Sequence, residues 1–108
     1  MPKKIFSYQE IKGTEKAIAK KIKAGYVFIK IWTLGGEENA SIMIKISLDK
    51  KENWTNGIFH NSRYYFFHIY RDGIVENFQC SYRVKKVRKK RVSSLKDAFN
   101  YINLKIEN

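Results

Sequence analysis

A predicted β-hairpin in the second half of the chain is the strongest constraint on its fold. Two runs rich in aromatic and β-branched residues, SRYYFFHIY and IVENFQCSYRV, flank the tetrapeptide RDGI. Asp72 and Gly73 form a typical centre for a two-residue type I′ turn, which sets the pairing of the two strands. With that turn Phe67 faces Phe78, and we expect an antiparallel pair whose alternate residues point to opposite sides.

The first half of the chain predicts a second hairpin. Residues 26–34 and 41–48 alternate between aliphatic and other side chains, and the intervening LGGEENA supplies turn residues. Pairing Ile31 with Ile44 places the aliphatic side chains of both strands on one face. The opposite face of the combined sheet is then predicted to carry aromatic and basic side chains. These are Tyr26, Phe28, Lys30, Trp32, Lys45, Tyr64, Phe66, His68 and Tyr70.

Helices are predicted on both sides of these strands. Ser7 and Glu10 have the spacing of a capping box, and Thr14 can cap a second helix that runs to about residue 24. Ser94 and Asp97 repeat the spacing before a C-terminal helix. The predicted core-facing residues of the helices are Ile11, Ile18, Ile22, Leu95, Ala98, Phe99, Ile102 and Ile106. We therefore expect an α+β fold in which a four-stranded antiparallel sheet is flanked by an N-terminal and a C-terminal helix, in the order α-β-β-β-β-α.

The positive charge of the chain is concentrated in two short stretches. The formal net charge is +12. Residues 1–25 contain seven Lys or Arg against two acids, and residues 83–91 contain seven against none. Residues 26–82 and 92–108 are each balanced. Since like charges repel within a compact fold, an anionic polymer is the partner that best compensates such stretches.

The basic stretches are the predicted phosphate-binding elements. One is the tract Arg83, Lys85, Lys86, Arg88, Lys89, Lys90 and Arg91, and the other is the lysine side of the first helix, Lys12, Lys16, Lys20 and Lys23. A strand would send alternate charges of the tract to opposite faces. We therefore expect part of it to form a basic loop or a projecting strand end that follows phosphates. A solvated surface without a partner is the alternative interpretation.

The aromatic side of the sheet admits two interpretations. Lys30 and Lys45 interleave there with the rings of Tyr64, Phe66, His68 and Tyr70, a combination that suits the stacking of unpaired bases. The same rings could instead form a second core layer beneath a helix or a loop containing Trp54 and Phe59.

Signals for catalysis are sparse. Cys80 is the single cysteine, His60 and His68 are the two histidines, and no motif for a nucleophile, a metal or a cofactor is present. A metal-free ribonuclease is the enzymatic alternative, because lysine, arginine, tyrosine and one histidine can stabilise and protonate a phosphodiester. Its predicted set is Lys45, Arg63, His68, Tyr82 and Arg83.

Together these patterns predict one basic domain spanning residues 1–108 that binds nucleic acid without catalysis, with DNA favoured over RNA. We expect no cofactor, metal or membrane partner, and a cytoplasmic location, since no signal-peptide or membrane-spanning run is present. The alternatives are a small toxin-like ribonuclease and an interaction or inhibitor protein that docks its basic surface on an acidic partner. An exposed edge strand would also allow two copies to pair.

Overall fold

The computed structural model describes residues 4–22, 26–33, 35–47, 64–80 and 84–107. These residues form an α+β structure with a five-stranded antiparallel sheet, confirming the predicted class. The strands are β1 (Val27–Thr33), β2 (Ala40–Ser47), β3 (Tyr64–Tyr70), β4 (Ile74–Cys80) and β5 (Val84–Arg91), and they lie in the order β1-β2-β3-β4-β5. The helices are α1 (Tyr8–Ile11), α2 (Glu15–Lys20) and α3 (Leu95–Glu107), with a 3-10 turn at Glu37–Asn39 between β1 and β2.

The additional strand is the basic tract, where the sequence predicted a loop or a strand end. β5 pairs with β4 from Cys80 opposite Val84 to Ile74 opposite Arg91, with an irregularity between Gln79 and Cys80. An edge strand needs backbone hydrogen bonds on one side and can expose both of its faces, so a run of charges is compatible with it. Lysine and arginine also hinder the addition of another strand at this edge.

The β1–β2 hairpin has the predicted faces but not the predicted register. Ile31 lies opposite Ile42, and Ile29 lies opposite Ile44. The prediction had Ile31 opposite Ile44, a displacement of two residues. Because side chains alternate with a period of two, this displacement leaves every side chain on its predicted face.

The β3–β4 hairpin differs from its prediction by one residue. Phe67 lies opposite Asn77, and Phe78 lies opposite Phe66. Three residues rather than two separate the strands, and Gly73 at the end of this loop has φ of 96°. Its amide donates to the Tyr70 carbonyl at 3.0 Å. A three-residue loop ending in a left-handed glycine is a common hairpin connection, and here it puts Phe78 on the face opposite that of Phe67, with which it was predicted to pair.

The core lies between one face of the sheet and the helices. On this helix face are Ile42, Ile44, Ile46, Phe67, Ile69 and Val75, all fully buried. They pack against buried residues of the N-terminal segment and α3, namely Phe6, Ile11, Ile18, Ile22, Ala98, Phe99 and Ile102. The predicted core-facing residues of the helices are thus confirmed. We call the other side of the sheet the aromatic face.

The helix boundaries follow their capping residues. The Ser7 hydroxyl accepts from the Glu10 amide at 3.3 Å, and the Ser94 hydroxyl accepts from the Asp97 amide at 3.1 Å. Thr14 precedes α2 without a side-chain cap, and α2 ends at Lys20, before the predicted end. No helix in the described ranges is long and apolar enough to cross a bilayer. The connection containing Trp54 and Phe59 lies outside the described residues.

Candidate functional site

The cations of β5 are divided between the two faces of the sheet. Arg88, Lys89, Lys90 and Arg91 are all exposed. Arg88 lies opposite Asn77, so Arg88 and Lys90 belong to the helix face, whereas Lys89 and Arg91 belong to the aromatic face. Among the other predicted residues of the tract, Arg83 and the side chains of Lys85 and Lys86 lie outside the part of the chain that the structure describes.

Both β5 cations on the aromatic face contact groups of the protein. Lys89 Nζ lies 4.0 Å from the carboxylate of Glu76, which is its direct neighbour across the strand pair. Arg91 Nη1 donates to the Asp72 carbonyl at 3.0 Å. These contacts keep the side chains of Lys89 and Arg91 next to the β3–β4 hairpin.

Two lysines of the aromatic face, Lys30 and Lys45, lie over aromatic rings. Lys30 Nζ is 4.6 Å from the ring centre of Trp32. Lys45 Nζ is 5.5 Å from the ring centre of Tyr64 and 6.0 Å from that of Phe66. Cation–π attraction of this kind contributes about 0.5–1 kcal/mol at an exposed site. A base could stack on those ring faces only after the ammonium groups had moved.

The rings of this face contact one another. Phe66 meets Phe78 edge-to-face with centroids 5.4 Å apart, and His68 stacks on Tyr70 at 4.3 Å. The predicted residues Tyr64, Phe66, His68 and Tyr70 do share one face, and all four are half-buried. Phe28 on the edge strand β1 is 43% exposed. Accessible ring surface is therefore greatest at the β1 edge.

A polar network crosses the same face between β2 and β4. His68 Nε2 lies 2.6 Å from the Ser41 hydroxyl, and the Tyr70 hydroxyl donates to Glu76. Burial lowers the pKa of His68, while the negative charge of Glu76 opposes that shift. Burial, the hydrogen bond to Glu76 and the charges of Glu76 and Asp72 raise the pKa of Tyr70 to about 12. Both groups are thus held in their neutral forms at pH 7.

The residues predicted for a ribonuclease come together only in part. Lys45 and His68 share the aromatic face on adjacent strands. Ser41 and His68 also line a cavity of about 380 Å³ beside the 3-10 turn. His68 Nε2 lies within hydrogen-bond distance of the Ser41 hydroxyl, so one ring nitrogen has a partner within the sheet. Arg63, Tyr82, Arg83 and His60 lie outside the described residues.

We call the side of the molecule that carries the helices the helix side. Its exposed cations differ from those of the aromatic face in their contacts. Arg88, Lys90, Lys16 and Lys20 are exposed, and no ion pair involves them within the described ranges. Lys12 is exposed as well, and Lys23 lies outside those ranges. The predicted lysine side of the N-terminal helical segment is confirmed as exposed for the lysines that the structure describes.

Two clefts flank α3 and bring these basic elements together. Between α2 and α3, a cleft of about 440 Å³ is lined by Lys20, Lys21, Lys96, Phe99, Asn100 and Asn103. Between α3 and the end of β5, a cleft of about 570 Å³ is lined by Lys90 and Arg91, by the carboxylates of Asp72 and Asp97, and by Asn100 among others. Asn100 lines both clefts. The two basic stretches of the sequence therefore approach a common helix from opposite sides.

Lys21 and Lys96 are the candidate residues that the sequence did not reveal. Lys21 follows α2, and Lys96 lies in the first turn of α3, 75 residues further along the chain. Because the two lysines are so far apart in the sequence, no local pattern groups them. Their proximity depends on how α2 and α3 pack, which local periodicity does not specify.

No three His, Cys, Asp or Glu side chains of the described residues are grouped so that they could hold a metal ion. Comparison of the chain with protein-family models, curated proteins and solved structures finds no match.

Proposed function

We propose that the chain binds the sugar-phosphate backbone of nucleic acid through cations on its helix side, with DNA as the favoured partner. The observation that carries this proposal is the meeting of the two basic elements at Asn100 on α3. Exposed cations on one surface can contact successive phosphates, and each neutralised phosphate releases counterions.

The partners of the individual cations favour the helix side over the aromatic face. Lys30, Lys45, Lys89 and Arg91 each contact a ring, a carboxylate or a carbonyl of the protein. Arg88 and Lys90 form no ion pair with the described residues. A phosphate that approached these two would not have to displace an existing ionic partner, so its binding would not be offset by the loss of an ion pair.

The aromatic face has a secondary role in this proposal. Its half-buried rings stabilise the sheet through contacts such as Phe66 with Phe78. Contacts to bases would be confined to exposed rings such as Phe28. Because phosphate contacts alone carry no base identity, we expect little sequence preference.

A comparison of two double variants tests the proposal. Arg88→Gln/Lys90→Gln removes two charges on the helix face, and Lys30→Gln/Lys89→Gln removes the same number on the aromatic face. At about 150 mM salt the Debye length is roughly 8 Å, so charges act mainly on nearby phosphates. We expect the helix-face variant to lose about tenfold in affinity for a DNA oligonucleotide, and the aromatic-face variant less than about threefold.

Three results would contradict the proposal in different ways. Equal losses would show that DNA affinity depends on the net charge of the protein and not on the position of the charges. A greater loss in Lys30→Gln/Lys89→Gln would show that the binding surface is the aromatic face. Unchanged binding in both variants at low salt would show that β5 is not part of the binding surface.

The two alternative functions give separate results with the same protein. Cleavage of RNA in the presence of chelator that disappears in His68→Ala would indicate a ribonuclease. A protein that co-purifies, with no retention of DNA or RNA, would indicate an interaction protein.

A further inference from the structure

The cleft between α2 and α3 has the chemistry of an anion site. Three of its lining residues are lysines, two are asparagines and the sixth is Phe99, so none of the six is acidic. Asp97 lies next to Lys96 in the sequence, but its carboxylate accepts from the Ser93 hydroxyl at 3.0 Å and lines the other cleft. The ammonium groups around this cleft thus have no carboxylate among its lining residues to offset them.

Packing of the helices holds the three lysines together. The Asn103 side chain on α3 donates from Nδ2 to the Lys21 carbonyl at 3.0 Å, which links the end of α2 to α3. Lys21 Nζ lies 5.5 Å from the centre of the Phe99 ring. Lys96 lies in the first turn of α3, where unpaired backbone amides add positive potential. Their mutual repulsion would be relieved by a bound anion.

We propose that this cleft binds a phosphate group of a nucleic-acid strand through Lys20, Lys21 and Lys96. The identity of the strand rests on the proposed function. The anionic nature of the ligand rests on the cleft itself. Phe99 is buried, and Lys21 lies over its ring, so the cleft offers no surface on which a base could stack. A phosphodiester fits this lining, since its oxygens accept hydrogen bonds from ammonium and amide groups.

The position of the cleft also predicts the path of the nucleic-acid strand across the protein. Asn100 lies on the exposed side of α3 and lines both this cleft and the one that contains Lys90. A strand whose phosphate is bound by Lys21 and Lys96 would therefore cross α3 at Asn100 and reach the helix-face cations of β5. The N-terminal lysines and the basic tract then act as parts of a single binding surface.

The test compares Lys21→Gln/Lys96→Gln with Lys4→Gln/Lys105→Gln. Each variant removes two lysine charges, and glutamine keeps the first two methylene groups of the lysine side chain. Lys4 and Lys105 do not line the cleft. Thermal melts establish that both variants fold. DNA affinity is measured at about 150 mM salt, where distant charges are screened. Tripolyphosphate is titrated separately while the amide NMR signals of Lys96, Asn100 and Asn103 are followed.

We expect Lys21→Gln/Lys96→Gln to lose about tenfold in DNA affinity and Lys4→Gln/Lys105→Gln less than about twofold. Tripolyphosphate should shift the three amide signals in the wild-type protein and not in Lys21→Gln/Lys96→Gln. Equal DNA affinity of the two variants would overturn the inference and leave the proposed function standing. Shifts with tripolyphosphate, but no binding of DNA or RNA, would support the anion site and overturn the proposed function. The absence of both signals would overturn both.

Discussion

The hydroxyl oxygen of Ser41 and Nε2 of His68 lie 2.6 Å apart on neighbouring strands. The contact gives one ring nitrogen of His68 a hydrogen-bond partner, and burial lowers the pKa of His68. The unfolded chain has the ordinary histidine pKa of about 6.5 and therefore binds more protons than the folded chain just below that pH. We expect the free energy of unfolding to be fully retained above pH 6.5 and to fall as the pH is lowered through 6.5 towards the folded-state pKa.

Urea denaturation of the wild type and of His68→Gln at pH 7.5 and 5.5 measures this effect. The slope attributable to His68 is at most about 1.4 kcal/mol per pH unit. His68→Gln should lose less stability than the wild type over this interval, because the titrating ring is gone while a polar group still faces Ser41. Equal losses would show that His68 is not held neutral by the fold.

Gly73 should be far less tolerant of substitution than Gly13. A Cβ atom at Gly73 would overlap the Val92 carbonyl oxygen, and its φ of 96° is unfavourable for other residues. We expect Gly73→Ala to cost about 3 kcal/mol or more, since strain and overlap add. Gly13 has φ of 74° with open space around its Cβ position, so Gly13→Ala should cost about 1 kcal/mol. Similar melting temperatures for the two variants would contradict this account of the hairpin.

The turn at Gly73 also shows why the register of the second hairpin could not be predicted. The sequence indicates a turn at Asp72 and Gly73, and the turn is there. Whether two or three residues separate the strands depends on tertiary contacts. The Ile5 amide donates to the Arg71 carbonyl, and the Val92 amide donates to the Gly73 carbonyl, both at 2.8 Å. These distant partners favour the longer loop, and one added residue reverses the faces of β4.

Asn77 shows the consequence of that reversal. Its position opposite Phe67 puts it on the helix face, and its Oδ1 is buried without a hydrogen-bond partner. Asn77→Val should raise the free energy of unfolding by about 1 kcal/mol, because an unsatisfied polar atom is removed and valine suits a strand. Asn77→Ala is the control, since it removes the same oxygen without adding apolar contacts. A loss of stability in Asn77→Val would show that the oxygen has a partner in solution.

The local patterns of the sequence were sufficient for the helix caps and the helical core stripes. Ser94 with Asp97 and the stripe through Ala98, Phe99 and Ile102 depend on contacts within one or two turns. β5 was missed because a run of cations lacks the alternating apolar residues that indicate a strand. Its backbone pairing with β4 stabilises it instead. The cleft lysines Lys21 and Lys96 require knowledge of helix packing that a single sequence does not supply.

The aromatic face should contribute more to stability than to binding. Phe66 is half-buried and meets Phe78 edge-to-face, so Phe66→Ala should lower the free energy of unfolding by about 2 kcal/mol or more. Phe28 is 43% exposed, and Phe28→Ala should cost under about 1 kcal/mol.

Single-strand affinity of the same two variants, measured well below their melting temperatures, separates the roles of the face. We expect each variant to stay within about threefold of the wild type. A loss of about fivefold or more in Phe28→Ala, without a change in stability, would show that this ring stacks on a base, since each stacked base contributes roughly 1–3 kcal/mol.

The salt dependence of wild-type binding measures how many phosphates the helix side contacts. Affinity is measured for DNA and RNA oligonucleotides, single- and double-stranded, between about 50 and 200 mM salt. Contact of one phosphate each with Arg88 and Lys90, and of a third phosphate with Lys20, Lys21 and Lys96, predicts that log K falls linearly with log salt, with a slope of about −3 for duplex DNA. No binding at 50 mM salt, or an affinity that does not change with salt, would contradict the claim that this surface binds a nucleic-acid backbone.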